Sequence, residues 1–115
     1  MRKQTVVALV AGIGMVAALP AFAQDKGQVD RGMKVFADQK CSLCHAIDKK
    51  GNAKGPLDHV GRKLTVDEIR AWITTPKEMA VKTKAERKPQ MKEFPDLAKA
   101  DVDALVAYLQ TLKKN

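Results

Sequence analysis

Three stretches of the chain repeat their apolar residues at helical spacing, and none alternates long enough to predict a strand. Over 28–39, Val29, Met33 and Phe36 fall at i, i+4 and i+7, which predicts a helix with Met33 in the core. Gly32 lies on the Phe36 side of that helix. Glycine costs a helix interior up to about 1 kcal/mol relative to alanine, so its position predicts the close approach of another helix. Over 66–74, Thr65 and Glu68 form a T-x-x-E capping box, Ile69, Trp72 and Ile73 supply the apolar face, and Pro76 stops the helix. Over 99–113, Val102, Leu105, Leu109 and Leu112 make one stripe with Val106 and Tyr108 beside it. Asp101 and Asp103 open that segment and Lys113 and Lys114 close it, which suits the helix dipole.

Two long connections lie between these helices. Residues 46–64 contain Gly51, Gly55, Pro56 and Gly61; residues 76–98 contain Pro89, Pro95, Met79, Met91 and a basic run over 82–88. Loops of this length in a small domain predict that the chain wraps around something. The beginning of the sequence reads differently. Arg2 and Lys3 precede an apolar run over 6–19, then Pro20 and the small-residue pattern Ala21-Phe22-Ala23. This predicts a secretory signal peptide over 1–23, cut after Ala23, and one domain over 24–115. The apolar run falls short of the roughly 20 residues that span a bilayer, so no stable membrane insertion is expected after cleavage.

Composition adds two constraints. The predicted mature chain has four aromatic residues, Phe36, Trp72, Phe94 and Tyr108, a thin basis for a self-sufficient core, so a disulfide, metal or cofactor is expected to staple it. The chain has 21 basic and 13 acidic side chains. Without Arg2 and Lys3 the balance is 19 against 13, a net charge of +6, which suits docking to acidic proteins. Nucleic acid is not expected as a partner, because the lysines are scattered and no nucleic-acid motif accompanies them.

The candidate chemistry lies in Cys41-Ser42-Leu43-Cys44-His45, which fits C-x-x-C-H. Two thiols at this spacing can add across the two vinyl groups of one haem, and the adjacent histidine is then held under the porphyrin where a ring nitrogen can bind iron. Other readings fit less of the chain. A thioredoxin-like dithiol expects a βαβ context. A structural zinc needs four ligands, and only Cys41, Cys44, His45 and His59 are available, without finger spacing. A Cys41–Cys44 disulfide leaves His45 and the helical layout unexplained. Covalent haem c, attached through Cys41 and Cys44, is the expected cofactor.

With these residues in view, the chain over 24–115 resembles the class I c-type cytochromes. The order matches: a first helix with Gly32 and Phe36, then Cys41-Ser42-Leu43-Cys44-His45, then Gly55-Pro56-Leu57, Gly61-Arg62, Trp72-Ile73 before Pro76, a methionine loop, and Ala107-Tyr108-Leu109 in a last helix. The resemblance implies an all-α cytochrome c fold with three main helices and long loops wrapped around one haem. It implies that the first and last helices cross at Gly32, Phe36 and Tyr108. It also implies His45 as one axial ligand, oriented by a hydrogen bond to the Pro56 carbonyl, with Arg62 and Trp72 bonding the haem propionates. For the second axial position it favours Met91, which Phe94 and Leu97 follow before the last helix, although Lys92 stands where the family often has proline. Met79 is the alternative, and His59 is expected to be a loop histidine. Ala98 stands where the family commonly places a Ser or Thr cap, so the last helix is expected to start without a side-chain cap.

These expectations amount to a monomeric electron carrier of the bacterial periplasm, not an enzyme, passing single electrons between redox proteins. Lys40, Lys49, Lys50, Lys82, Lys84 and Lys92 are candidates for steering acidic partners. The alternatives are a haem subunit of a larger periplasmic oxidoreductase, or a sensor or peroxidase-like protein with an open sixth site. The sequence names no donor, acceptor, potential or pathway.

Overall fold

The computed structural model describes residues 11–14 and 25–115. The expected leader falls almost wholly outside them. Among the described residues no helix is long and apolar enough to cross a membrane.

Helix α1 spans Lys26–Asp38, two residues earlier at its start than the apolar spacing predicts, because the Asp25 carboxylate accepts from the Gly27 amide at 3.0 Å and caps it. A one-turn 3-10 helix follows at Cys41–Leu43. Strands β1, Ala46–Ile47, and β2, Lys50–Gly51, pair antiparallel. Helix α2 is a single turn at Val60–Lys63, α3 spans Val66–Thr74, α4 Pro76–Thr83 and α5 Lys99–Gln110. The three long helices stand where the periodicity puts them. The described residues hold five helices rather than three, since the two connections are partly helical themselves.

The additions have local causes. Pro76 ends α3 and also begins α4, where its missing N–H costs nothing at a first helical position. The hairpin turn places Asp48 and Lys49 at φ 51° and 65°, the left-handed pair that a two-residue hairpin demands, without the Asn-Gly that announces it. Helix α2 is too short to show a period. At the other end, α5 stops at Gln110 instead of reaching 113. The tail leaves the helix to bond the 58–61 segment: Gly61 N donates to Leu112 O at 2.8 Å and Lys114 N to Asp58 O at 3.0 Å.

The core lies where α1 and α3 pack on α5. Val35, Ile69, Ile73, Val102, Leu105, Val106 and Leu109 are buried together, with Phe36, Leu57, Val60, Leu64 and Tyr108 packed against them. The α1–α5 contact is closest at Gly32. A Cβ built there would stand 2.1 Å from the Ala104 carbonyl oxygen and 2.6 Å from Tyr108 Cβ. Phe36 and Tyr108 meet edge to face beside it, with ring centroids 6.0 Å apart at 79°, so the crossing is where the resemblance puts it. This contact corrects the expectation for Met33. With Gly32 turned inward, Val35 and Phe36 follow on its face, and Met33, rotated by roughly 100° per residue, is half exposed at 50%. Helix α3 takes the threonine half of the predicted box, Thr65 Oγ1 accepting from Glu68 N at 3.2 Å, and α5 begins at Ala98 with no side-chain cap.

Ion pairs edge the core. Arg31 reaches Asp101 at 2.7 Å from α1, and Arg70 reaches Asp103 at 2.6 Å from α3. The hydrogen bond from Arg70, and then that from Lys99, hold the Asp103 carboxyl below its ordinary value of 3.8.

Two outcomes follow from this packing. Gly32→Ala should destabilise the holoprotein by about 1–3 kcal/mol through overpacking, although alanine is the better helix former; a denaturant midpoint equal to or above that of the natural chain would remove the close crossing. Because Asp103 has a lowered folded pKa, its contribution is present above 3.8 and is lost as pH falls through the folded value. The stability gap between the natural chain and Asp103→Asn should therefore narrow on acidification, read as paired unfolding curves across the carboxylate range.

Candidate haem-attachment site

The site starts where α1 stops. Lys40 takes a left-handed conformation, φ 56°, and redirects the chain into the turn at Cys41–Leu43. Cys44 N and His45 N both donate to Cys41 O, at 3.2 and 3.0 Å. A 3-10 turn has about three residues per turn, so Cys41 and Cys44 lie on one side of it. Ser42 and Leu43 project elsewhere, and Leu43 is 69% exposed. Both cysteines are free thiols.

The loop after the hairpin wraps this turn. Asn52 N donates to Ser42 O at 3.1 Å and to His45 O at 3.2 Å, and Asn52 Nδ2 donates to Leu43 O at 3.2 Å. The Asn52 carboxamide also accepts from Lys54 N at 3.0 Å, closing an Asx turn. In sequence, Asn52 shows only as an asparagine just after a glycine in a loop that follows the C-x-x-C-H motif, a weak signal for this role.

His45 is half buried, and its Nδ1 lies 3.1 Å from the Gly55 carbonyl oxygen. The acceptor is Gly55, one residue before the Pro56 expected from the resemblance. The cause is the backbone pairing: Ala46 bridges Pro56 in parallel, Ala46 N donates to Gly55 O at 3.0 Å, and Leu57 N donates to Ala46 O at 2.8 Å. This directs the Gly55 carbonyl at His45 and places Pro56 at the surface.

The electrostatics suit a metal ligand. Burial lowers the His45 pKa against the pull of the Gly55 bond, and the Arg87 cation lowers it further. The ring is therefore neutral at physiological pH, the form that binds metal. With Nδ1 spent on Gly55, Nε2 is the nitrogen available to iron. Burial raises the Cys41 pKa, with Lys92 pulling the other way. Two thiols on one side of a turn, beside a neutral, oriented imidazole, fit covalent haem c.

The remaining candidates separate. Met91 is half buried in the 84–98 connection, between Arg87, whose charge acts on His45, and Lys92, whose charge acts on Cys41. Met79 is buried within α4 at 7% exposure. His59 is tied by Nδ1 to the Lys114 carbonyl. Arg62 bonds Asn115 at the C-terminal tail, and Trp72 is half buried on α3. Among the described residues no three His, Cys, Asp or Glu side chains are grouped to hold a metal ion by themselves.

Comparison with known proteins places these features. Over a stretch covering 73% of this chain, 93 residues are 29% identical to cytochrome c oxidase subunit 2 of Alkalihalophilus pseudofirmus. The match spans only 25% of that longer protein. No solved structure matches. Residues 29–113 match the cytochrome c family, a span that takes in the motif turn, the loops around it and all of α3, α4 and α5, and the chain belongs to that family.

Proposed function

We propose that this chain is a monohaem carrier of the bacterial periplasm, monomeric and without enzymatic activity of its own, with His45 and Met91 as axial ligands. Its membership of the cytochrome c family implies covalently bound haem c and haem-based electron transfer, and the proposal builds on that. The observation that carries this reading is a bond that brings the segment entering Met91 to the haem-attachment turn: Arg87, four residues before Met91, donates to Cys44 O at 2.6 Å, while Met79 is packed into α4.

Haem c supplies a reversible one-electron iron couple. The chain's residues give that couple its setting. Cys41 and Cys44 hold the ring covalently. His45, fixed by Gly55, and Met91 would hold the iron between them, which would leave no position for substrate and favour a higher potential than two histidines would. Arg62 and Trp72 are proposed to bond the propionates; Arg62 bonds Asn115 through Nη1 alone and keeps further N–H donors for this. Lys40, Lys49, Lys50, Lys82, Lys84 and Lys92 are all exposed and give the protein a cationic approach for acidic redox partners.

A second reading draws on the oxidase-subunit relative: the chain serves as the haem-bearing part of a larger periplasmic assembly. Gel filtration of a native extract separates the two, a free carrier eluting at the size of one chain and a subunit with its complex.

Two measurements test the proposal. In Met91→Ala the weak far-red absorption that marks sulfur ligation of ferric haem should vanish, while Met79→Ala retains it; the reverse pattern would transfer the ligand to Met79. Electron exchange with the hexacyanoferrate anion should slow by about tenfold between low and high salt, as the Debye length falls from about 30 Å towards 3 Å. Exchange with a cationic cobalt complex should quicken over the same range. Rates indifferent to salt would remove the cationic approach.

A further inference from the structure

The carbonyl oxygens of the haem-attachment turn are fully accounted for. Cys41 O takes the amides of Cys44 and His45; Ser42 O and His45 O take Asn52 N; Leu43 O takes Asn52 Nδ2. The partner of Cys44 O comes from elsewhere in the chain. Arg87 Nη2 donates to it at 2.6 Å, across 43 residues of sequence. The guanidinium fits because residue 55 has no side chain. A Cβ at Gly55 would stand 2.1 Å from Arg87 Nη1 and 2.9 Å from Arg87 Cζ.

Arg87 is also well placed along its own segment. The chain leaves α4 through Lys84 in a left-handed conformation, φ 53°, with Ala85 N returning to Ala80 O at 2.9 Å. Arg87 follows three residues later, and Met91 four residues after that. Beyond Met91, Glu93 reaches back to Lys77 on α4 at 3.6 Å, with both side chains at least half exposed. The bond at Cys44 is shorter and is made by a planar cation to a backbone acceptor, a stronger interaction than an exposed, loosely spaced ion pair.

We propose that Arg87 is a positioning residue for the sixth ligand: through the Cys44 carbonyl it ties the chain entering Met91 to the turn that carries both thiols and His45. The position of Met91 is thereby set from the turn that also sets the proximal histidine. The proposal rests on Met91 being the ligand. Without the tether the segment spends more time away from the iron, and an external ligand competes more effectively, since its apparent affinity scales with the fraction of protein whose site is open.

The test uses haem-loaded, oxidised protein titrated with imidazole and followed by visible absorbance. Arg87→Gln should lower the imidazole dissociation constant about fivefold, the equivalent of one charge-assisted hydrogen bond weakened by its exposed setting. Arg87→Lys, which keeps the charge without the fork, should fall between Arg87→Gln and the natural chain and also serves if the glutamine variant fails to mature. Glu93→Gln should stay within about twofold. The denaturant midpoint of the α1–α5 core, read by far-ultraviolet circular dichroism, should be unchanged in all three. An unchanged imidazole constant in both Arg87 variants overturns the proposal, as does a Glu93→Gln shift equal to that of Arg87→Gln. Met91→Ala separates the two levels. If it keeps the far-red band, the ligand assignment fails and the Arg87 role fails with it. If it loses the band while the Arg87 variants titrate like the natural chain, only the Arg87 role fails.

Discussion

The close crossing at Gly32 is the constraint on which the rest of the molecule depends. Helix α1 has little to bury: its inward face is Gly32, Val35 and part of Phe36. Without a Cβ at Gly32, the helix can lie against the Ala104 backbone and set Phe36 against Tyr108. That position fixes where α1 ends, and its end fixes where the Cys41–Leu43 turn begins, after the cap residue Gln39 and the left-handed Lys40. A small core can therefore locate two thiols and a histidine. The turn is held from behind by a helix packed against backbone atoms and from the front by the Asn52 loop.

The sequence made the long elements and the attachment chemistry legible for the same reason: both are written as spacing. Val102, Leu105 and Leu109 repeat as a helix must, and Cys41, Cys44 and His45 repeat as two vinyl additions and one iron bond require. What spacing does not encode was missed. Met33 fits the period of α1 as well as Val35 does, and only the inward rotation at Gly32 decides between them. Pro76 stops one helix and starts another, and a stop signal alone says nothing of the second. The His45 partner moved from Pro56 to Gly55 because the bridge between Ala46 and Pro56 sets which carbonyl turns inward. Asn52 offers only the weak signal of an asparagine after a glycine close to the motif, and Arg87 carries no motif at all; its role exists only once segments 43 residues apart are brought together.

The charged residues divide into two sets with different work. Arg31, Arg70 and Arg87 are committed to partners within the fold: Asp101, Asp103 and the Cys44 carbonyl. Lysines at 40, 49, 50, 82, 84 and 92 lie exposed. The division follows from the side chains themselves. A planar guanidinium makes fixed, directional bonds, whereas an ammonium on a flexible stem remains solvated and acts at a distance. Lys34, Lys77, Lys99 and Lys114 also pair with carboxylates of the fold, so the contrast holds between these three arginines and the six exposed lysines, and the two groups can be altered separately.

Leu43 shows how the attachment requirement shapes the surface as well as the interior. Two sulfurs on one side of a short turn force the residues between them to the other side. One of these, Ser42, is polar and keeps its backbone carbonyl bonded to Asn52. The other is a leucine left 69% exposed beside Lys40. An isolated exposed leucine needs no special account. This one lies between the two cysteines of the C-x-x-C-H motif, and Lys40, the residue before the motif, stands at the start of the same turn. The spacing that puts Cys41 and Cys44 on one side of the turn thus also turns Leu43 outward, so that the requirement for paired thiols shapes the surface of the turn as well as its inner side.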